Sequence, residues 1–277
     1  MSPENQASRT TRRTALITGA SAGIGAEFAR QLAARGMNLV LVARRRDRLE
    51  VLARELSEQH GVTATIIARD LADPDTPRSI ASRLHDQHIH VDFLVNNAGY
   101  GVPGKFNTPD WQAHSDFLQV LVTSVAELTY LLLPAMQENQ WGRIINVASM
   151  AALMPGSGGH TMYAASKAFL VRFSESLAME NQQTGVRVIA LCPGFTYSEF
   201  HDVTGTRELV SKMPKKMWLQ AADVAHSGIQ AIERKNFLPV VIPGSYYRRI
   251  ALLTRFMPQR LMLRYMRRRA RDFRNAD

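Results

Sequence analysis

The chain has 277 residues, 45% of them hydrophobic, and a formal net charge of +10, which is apolar material enough for one sizeable α/β core. Its one cysteine, Cys192, excludes an intrachain disulfide and a cysteine-built metal site, and fits a reducing, cytoplasmic setting. The charge is not spread along the chain: residues 245–277 hold ten arginines against Asp272 and Asp277, a net of +8, leaving +2 for everything before them, so the domain itself is no nucleic-acid binder.

Residues 1–13 are polar and basic with no apolar h-region, which predicts a short flexible tail rather than a secretory signal. From Thr14 onward strand and helix signals alternate, the pattern of a doubly wound, Rossmann-like parallel sheet of about seven strands with helices on both faces, in a single domain over 14–244. TALITG at 14–19 is the first strand, and Ile24, Phe28 and Leu32 then recur at helical spacing until Gly36. NLVLVA at 38–43 predicts a second buried strand, a helix over Asp47–His60 is closed by Gly61, and Val62–Ala68 supplies the third strand. Asp73-Pro74 and Thr108-Pro109 each have the form of an N-cap with proline at the first helical position. VDFLV at 91–95, GRIINVA at 142–148, VRVIALC at 186–192 and LPVVI at 238–242 complete the strands, with helices near 109–139, 160–182 and 222–234. The greasiest stretch, Phe117 to Met136, contains Gln119, Glu127 and Pro134, which predicts a buried core helix and not a membrane span. Phe195–Gln220 is the longest stretch without a period, and it follows a strand's carboxyl end, where open α/β sheets hold their ligands.

Thr18-Gly19-Ala20-Ser21-Ala22-Gly23-Ile24-Gly25 follows the first strand and opens the first helix, the context a phosphate-binding turn requires. Its TGxxxGxG spacing resembles the short-chain dehydrogenases/reductases, and the resemblance runs over roughly residues 14–244. Asp70-Leu71 matches that family's adenine contact, Asn96-Asn97-Ala98-Gly99 its NNAG turn, and Pro193-Gly194 the turn beside the nicotinamide, with Thr196 just beyond it among the implied cofactor contacts. The second strand ends in Ala43-Arg44-Arg45-Arg46 with no acid before Asp47. An acid there would accept from a ribose 2′-hydroxyl, whereas an arginine fork pairs with a 2′-phosphate, so Arg44, helped by Ser21 or Arg45, points to NADP(H).

Tyr163-Ala164-Ala165-Ser166-Lys167 sets a phenol and an ammonium on one helix face. The resemblance implies that Tyr163 transfers the proton, that Lys167 tunes it and holds the nicotinamide ribose, and that Ser149 orients the substrate oxygen. Moving a tyrosine from ~10 to about 7 takes roughly 4 kcal/mol, which a cation at about 4 Å and an effective dielectric near 20 supplies. Two features depart from the family pattern: Ser149 lies fourteen residues before Tyr163, with Met150 at the usual thirteen, and Leu121 stands where the family has a catalytic asparagine. An extra residue in PGSGG at 155–159 absorbs the first. Leu121 keeps a backbone carbonyl but no amide, which leaves open an alternative, an NADP(H)-binding sensor or scaffold with little or no turnover.

Phe195, Tyr197, Phe200, Met213, Met217, Trp218 and Leu219, with Met150, Leu153 and Met154, predict an adaptable apolar pocket for a ketone, aldehyde or 3-oxoacyl chain. Segment 245–277 interleaves apolar residues with arginines around Pro258, the pattern of a peripheral membrane-surface segment or of a partner-docking one. The resemblance further implies a homodimer or homotetramer joined through the two long helices.

Overall fold

Each of the seven apolar runs forms a strand, and the alternation inside it decides which helices it meets. The computed structural model describes residues 12–264 apart from 103, 157, 160, 201–203, 205–207, 209, 210, 212, 259, 262 and 263. Strands β1 (Thr14–Thr18), β2 (Asn38–Ala43), β3 (Ala64–Ala68), β4 (Phe93–Asn96), β5 (Gly142–Val147), β6 (Val186–Leu191) and β9 (Val240–Val241) form one sheet in the order β3-β2-β1-β4-β5-β6-β9. Every pairing in it is parallel. A second, two-stranded sheet pairs β7 (Thr196–Tyr197) with β8 (Leu219–Gln220), so the stretch without a period is pinned at both ends.

Ala15, Ile17, Leu39 and Leu41 project into a core shared with α1 (Gly23–Ala33), α2 (Arg46–His60) and α7 (Ala221–Glu233). Their neighbours Leu16, Val40 and Val42 project to the other face, against α3 (Thr76–Asp86), α4 (Trp111–Leu118), α5 (Ser124–Glu138) and α6 (Thr161–Glu180). A side-chain period of two with both positions apolar is what a strand covered on both faces requires. The Phe117–Met136 run joins α4 and α5 through a π-helical turn at Gln119–Thr123, and Phe117, Leu121, Leu128, Leu132 and Met136 are buried in the core.

Two helix starts differ from expectation. Helix α3 begins at Thr76, because the Asp73 carboxylate accepts from the Asp75 N–H at 2.9 Å and closes a turn of its own. Helix α4 begins at Trp111, where Asp110, not Thr108, accepts from the Ala113 N–H at 2.8 Å. Gly61 closes α2 in the left-handed conformation, φ 62°, as expected. The last strand is only Val240–Val241, an edge strand behind Pro239.

The basic segment begins inside the packing. Helix α8 (Ser245–Phe256) buries Tyr247 at 4% exposure, and its ring lies over Gly194, where an added β-carbon would stand 1.9 Å from it. The Tyr247 hydroxyl accepts from the Phe195 N–H at 2.9 Å and donates to the Met217 carbonyl. Residues 1–11 of the expected tail and 265–277 of the extension lie outside the described residues.

Candidate active site

The strand order reverses between β1 and β4, and the glycine turn, the NNAG turn, Ser149 and Pro193-Gly194 follow the carboxyl ends of strands on either side of that switch point, with Tyr163 and Lys167 on α6. Beyond β1, Gly19 and Gly23 adopt φ +65° and +54°, and a β-carbon on Gly25 would come within 2.3 Å of the Gly19 carbonyl oxygen and 2.5 Å of Asn97 Nδ2. Only glycine fits there, which lets Ile24 enter α1 with the backbone of the turn bare. The NNAG turn is tied to this one: Asn97 and Ala98 N–H both donate to Thr18 Oγ1 at 3.0 Å, and Asn97 Nδ2 donates to the Thr18 and Gly19 carbonyls at 3.0 and 3.3 Å. Ala22, before α1, makes no side-chain cap, so the helix N-terminus presents free N–H groups in a cradle that fits a dinucleotide pyrophosphate.

Beyond β2 the arginines divide. Arg45 donates to Ser21 Oγ through Nη2 at 3.0 Å and Nε at 3.3 Å. Arg44 leans to Asp70 instead, at 3.5 Å, with most of its side chain exposed. The guanidinium beside the glycine turn is therefore that of Arg45, where the sequence put weight on Arg44. Asp70 also accepts from the Ala72 N–H at 3.0 Å, and Leu71 is buried, its carbonyl accepting from Ser124 Oγ at 3.0 Å. Thr196 is buried and donates to the Gly194 carbonyl at 3.0 Å.

Ser149, Tyr163 and Lys167 converge beyond β5. The Ser149 hydroxyl lies close enough to the Tyr163 phenol to lower its pKa, so Ser149 and not Met150 faces the phenol. Met150 is buried, its N–H donating to the Pro193 carbonyl at 2.9 Å. Lys167 is buried, donates to the Val147 carbonyl at 2.8 Å and lies 5.8 Å from the Tyr163 ring centre. At that separation the ammonium does not dominate. Burial pushes the Tyr163 phenol above its ordinary pKa, with the Ser149 hydrogen bond opposing, and burial lowers Lys167 to about 8. Leu121 and Lys167 both approach Gly99: a β-carbon there would be 3.6 Å from Leu121 Cγ and 3.7 Å from Lys167 Nζ. Leu121 lies in a π-helical turn, a feature frequent at functional sites. Cys192 is buried, and its thiol is pushed up to about 12 by that burial, which leaves it unreactive.

Phe200 packs near the Tyr163 ring, with ring centres 5.8 Å apart. Tyr197 and Trp218 stack on each other at 4.7 Å and Phe195 packs on Trp218 at 5.7 Å, while Leu219 joins the core. Phe195, Tyr197 and Trp218, expected in the pocket, therefore brace the β7–β8 segment. Sequence reasoning missed Arg48, Glu199 and Tyr247. The Glu199 carboxylate accepts from Arg45 Nη1 at 2.8 Å and from Arg48 Nη1 at 2.6 and 2.8 Å. An open cavity of about 670 Å³ lined by Arg12, Arg13, Arg35 and Trp141 lies at the opposite ends of the strands, away from these groups. Among the described residues no group of histidine, cysteine and carboxylate side chains is placed to hold a metal.

The family model described as short chain dehydrogenase matches residues 13–208. The oxidoreductase UcpA of Salmonella typhimurium is 37% identical over 185 residues, covering 67% of this chain and 70% of that protein. A solved 7β-hydroxysteroid dehydrogenase superposes with a TM-score of 0.81 at 25% identity, over 92% of this chain and 96% of the other. A short-chain dehydrogenase from Sphingobium yanoikuyae in complex with NADPH gives 0.77 at 29% identity, over 89% and 96%.

Proposed function

The chain belongs to the short-chain dehydrogenase family, and from that membership we propose that it is an NADP(H)-dependent oxidoreductase interconverting a carbonyl and an alcohol on a hydrophobic substrate. The observation that carries this reading is the Ser149–Tyr163 pair with Lys167 one helical turn on, at the sheet edge that bears the glycine turn and the Arg45–Ser21 contact. Bound NADP(H) supplies or accepts the hydride. Ser149 donates a hydrogen bond to the substrate oxygen, and Tyr163 delivers its phenolic proton to that oxygen as the carbonyl is reduced, so that hydride and proton together make the alcohol. Lys167 holds the ribose hydroxyls. Phe200 beside the phenol favours an apolar substrate such as a ketone, an aldehyde or a 3-oxoacyl chain, in keeping with similarity to a hydroxysteroid dehydrogenase. The sensor alternative is not favoured, since the three reacting side chains are all present and assembled.

The 2′-phosphate preference rests on Arg45, with Arg44 near Asp70. Arg45→Ala is expected to weaken NADPH binding by about 10- to 100-fold, the loss of a charge-assisted contact, and to leave NADH binding nearly unchanged. Fluorescence titration of both cofactors, followed by oxidation assays over ketones and aldehydes graded by chain length, tests this. Equal losses for the two cofactors would contradict the phosphate assignment.

The protein is further proposed to work in the cytoplasm against an anionic lipid surface. Helix α8 turns Tyr247 inward and leaves Leu252, Leu253 and Phe256 exposed among Arg248, Arg249 and Arg255, an arrangement that attracts acidic headgroups and repels a second copy of itself. Self-association through α5 and α6 is a separate expectation, supported by Tyr130 at 77% and Met179 at 65% exposure. The full chain is expected to float with phosphatidylglycerol vesicles and not with phosphatidylcholine ones, and Leu253→Ser with Phe256→Ser to reduce flotation at least about fivefold, two buried apolar side chains being lost. Equal flotation of that double variant would reject the lipid reading.

A further inference from the structure

The Arg45–Glu199–Arg48 cluster joins two parts of the chain with different tasks. Arg45 lies between β2 and α2 and Arg48 in the first turn of α2, whereas Glu199 follows β7 in the segment that carries Phe200 to the phenol. The carboxylate engages both guanidiniums, at 2.6 to 2.8 Å, and Arg45 at the same time bonds Ser21. The arginines hold the Glu199 carboxyl below its ordinary pKa, Arg45 most strongly. Next to it, Ser198 lies against the glycine turn: a β-carbon on Gly23 would stand 2.9 Å from Ser198 Cβ. An acidic side chain thus sits on Arg45, the cation assigned above to the 2′-phosphate, and on Arg48 beside it, with Ser198 against the glycine turn.

We propose that Glu199 is a built-in competitor of the cofactor's 2′-phosphate: NADP(H) binding exchanges this carboxylate for phosphate on Arg45 and Arg48 and frees Ser198, Glu199 and Phe200 from that contact. The proposal rests on the NADP(H) reading. Its physical basis is charge. A phosphate monoester carries −1.5 to −2 against −1 for a carboxylate and offers three acceptor oxygens, so it wins two guanidiniums that a single carboxylate only shares. The pairs are roughly 40% exposed, hence screened and exchangeable. NAD(H) has no group to make the exchange, so it leaves the clamp closed. Glu199 then lowers affinity for NADP(H) while making the freedom of Ser198 and Phe200 on either side of it depend on the phosphate.

The test is a titration of full-length protein and Glu199→Gln with NADPH, NADH and adenosine 2′,5′-bisphosphate, with hydrogen exchange followed over the segment beyond β7. Glu199→Gln is expected to tighten NADPH and the bisphosphate by about 3- to 10-fold, the size of one or two half-exposed ion pairs, and to leave NADH within twofold. NADPH, but not NADH, is expected to raise exchange around Glu199 in the unaltered protein, and the variant to show that raised exchange without ligand. Unchanged or weakened NADPH binding in Glu199→Gln overturns the proposal while leaving the cofactor assignment standing. Failure of the assignment looks different: the unaltered protein would bind NADH as tightly as NADPH and the bisphosphate not at all.

Discussion

Tyr163→Phe is expected to slow carbonyl reduction by about 10²- to 10⁴-fold, the range for removing a general acid, while NADPH affinity and melting temperature stay near those of the unaltered protein. The substitution deletes one oxygen, the partner of Ser149, and keeps the ring that packs on Phe200. Burial holds the phenol protonated well past neutrality, which suits it to give a proton in reduction. Oxidation needs the phenolate and must work against that burial, so the reduction rate is expected to show no titration of this group below its ordinary pKa. Single-turnover oxidation of NADPH with a saturating ketone measures the effect. A variant keeping more than a tenth of the rate would remove Tyr163 from the proton-transfer role.

Lys167→Met is expected to abolish turnover yet raise stability at pH 7 by about 2 kcal/mol. Burial lowers the ammonium from 10.5 to about 8, and each unit is worth about 1.4 kcal/mol, so the folded protein bears a penalty of about 3 kcal/mol below pH 8. Losing the hydrogen bond to the Val147 carbonyl offsets about 1 kcal/mol of the gain. Because the folded pKa lies below the unfolded one, the deficit is complete under pH 8 and disappears as the pH climbs through 10.5. The melting temperature of the variant should therefore exceed that of the unaltered protein by roughly 5 °C at pH 7 and fall slightly below it at pH 10.5. Thermal melts at the two pH values decide it, and a less stable variant at pH 7 would mean that Lys167 is not charged at a cost.

Most of the fold was legible because its signals are local. Runs such as Asn38–Ala43 and Val186–Leu191 are apolar at all positions but one and formed strands at the expected places, and Gly61 stopped α2 as expected. The helix starts were less so. Asp73 and Thr108 have cap chemistry, but an aspartate that closes its own turn and a competing Asp110 moved each start by two or three residues. Pro239 and the edge position reduced the last strand to Val240–Val241, an outcome that depends on having one neighbour instead of two.

At the site the division is sharper. The sequence by itself determined which residues are brought together at the candidate site, because Ser149, Tyr163, Lys167 and the glycine turn lie at strand ends or at fixed helical spacing, and short-range geometry delivers them. Only the tertiary structure decided what surrounds them. Arg45 instead of Arg44 meets Ser21, Glu199 arrives from far along the chain to sit on Arg45 and Arg48, and Tyr247 of α8 seals Gly194. The balance of the Tyr163–Lys167 pair belongs here too. The sequence spacing expected the cation to govern the phenol, whereas desolvation, a property of everything packed around both groups, governs each of them. Burial and long-range ion pairs are sums over neighbours that come together only on folding, so no local pattern encodes them.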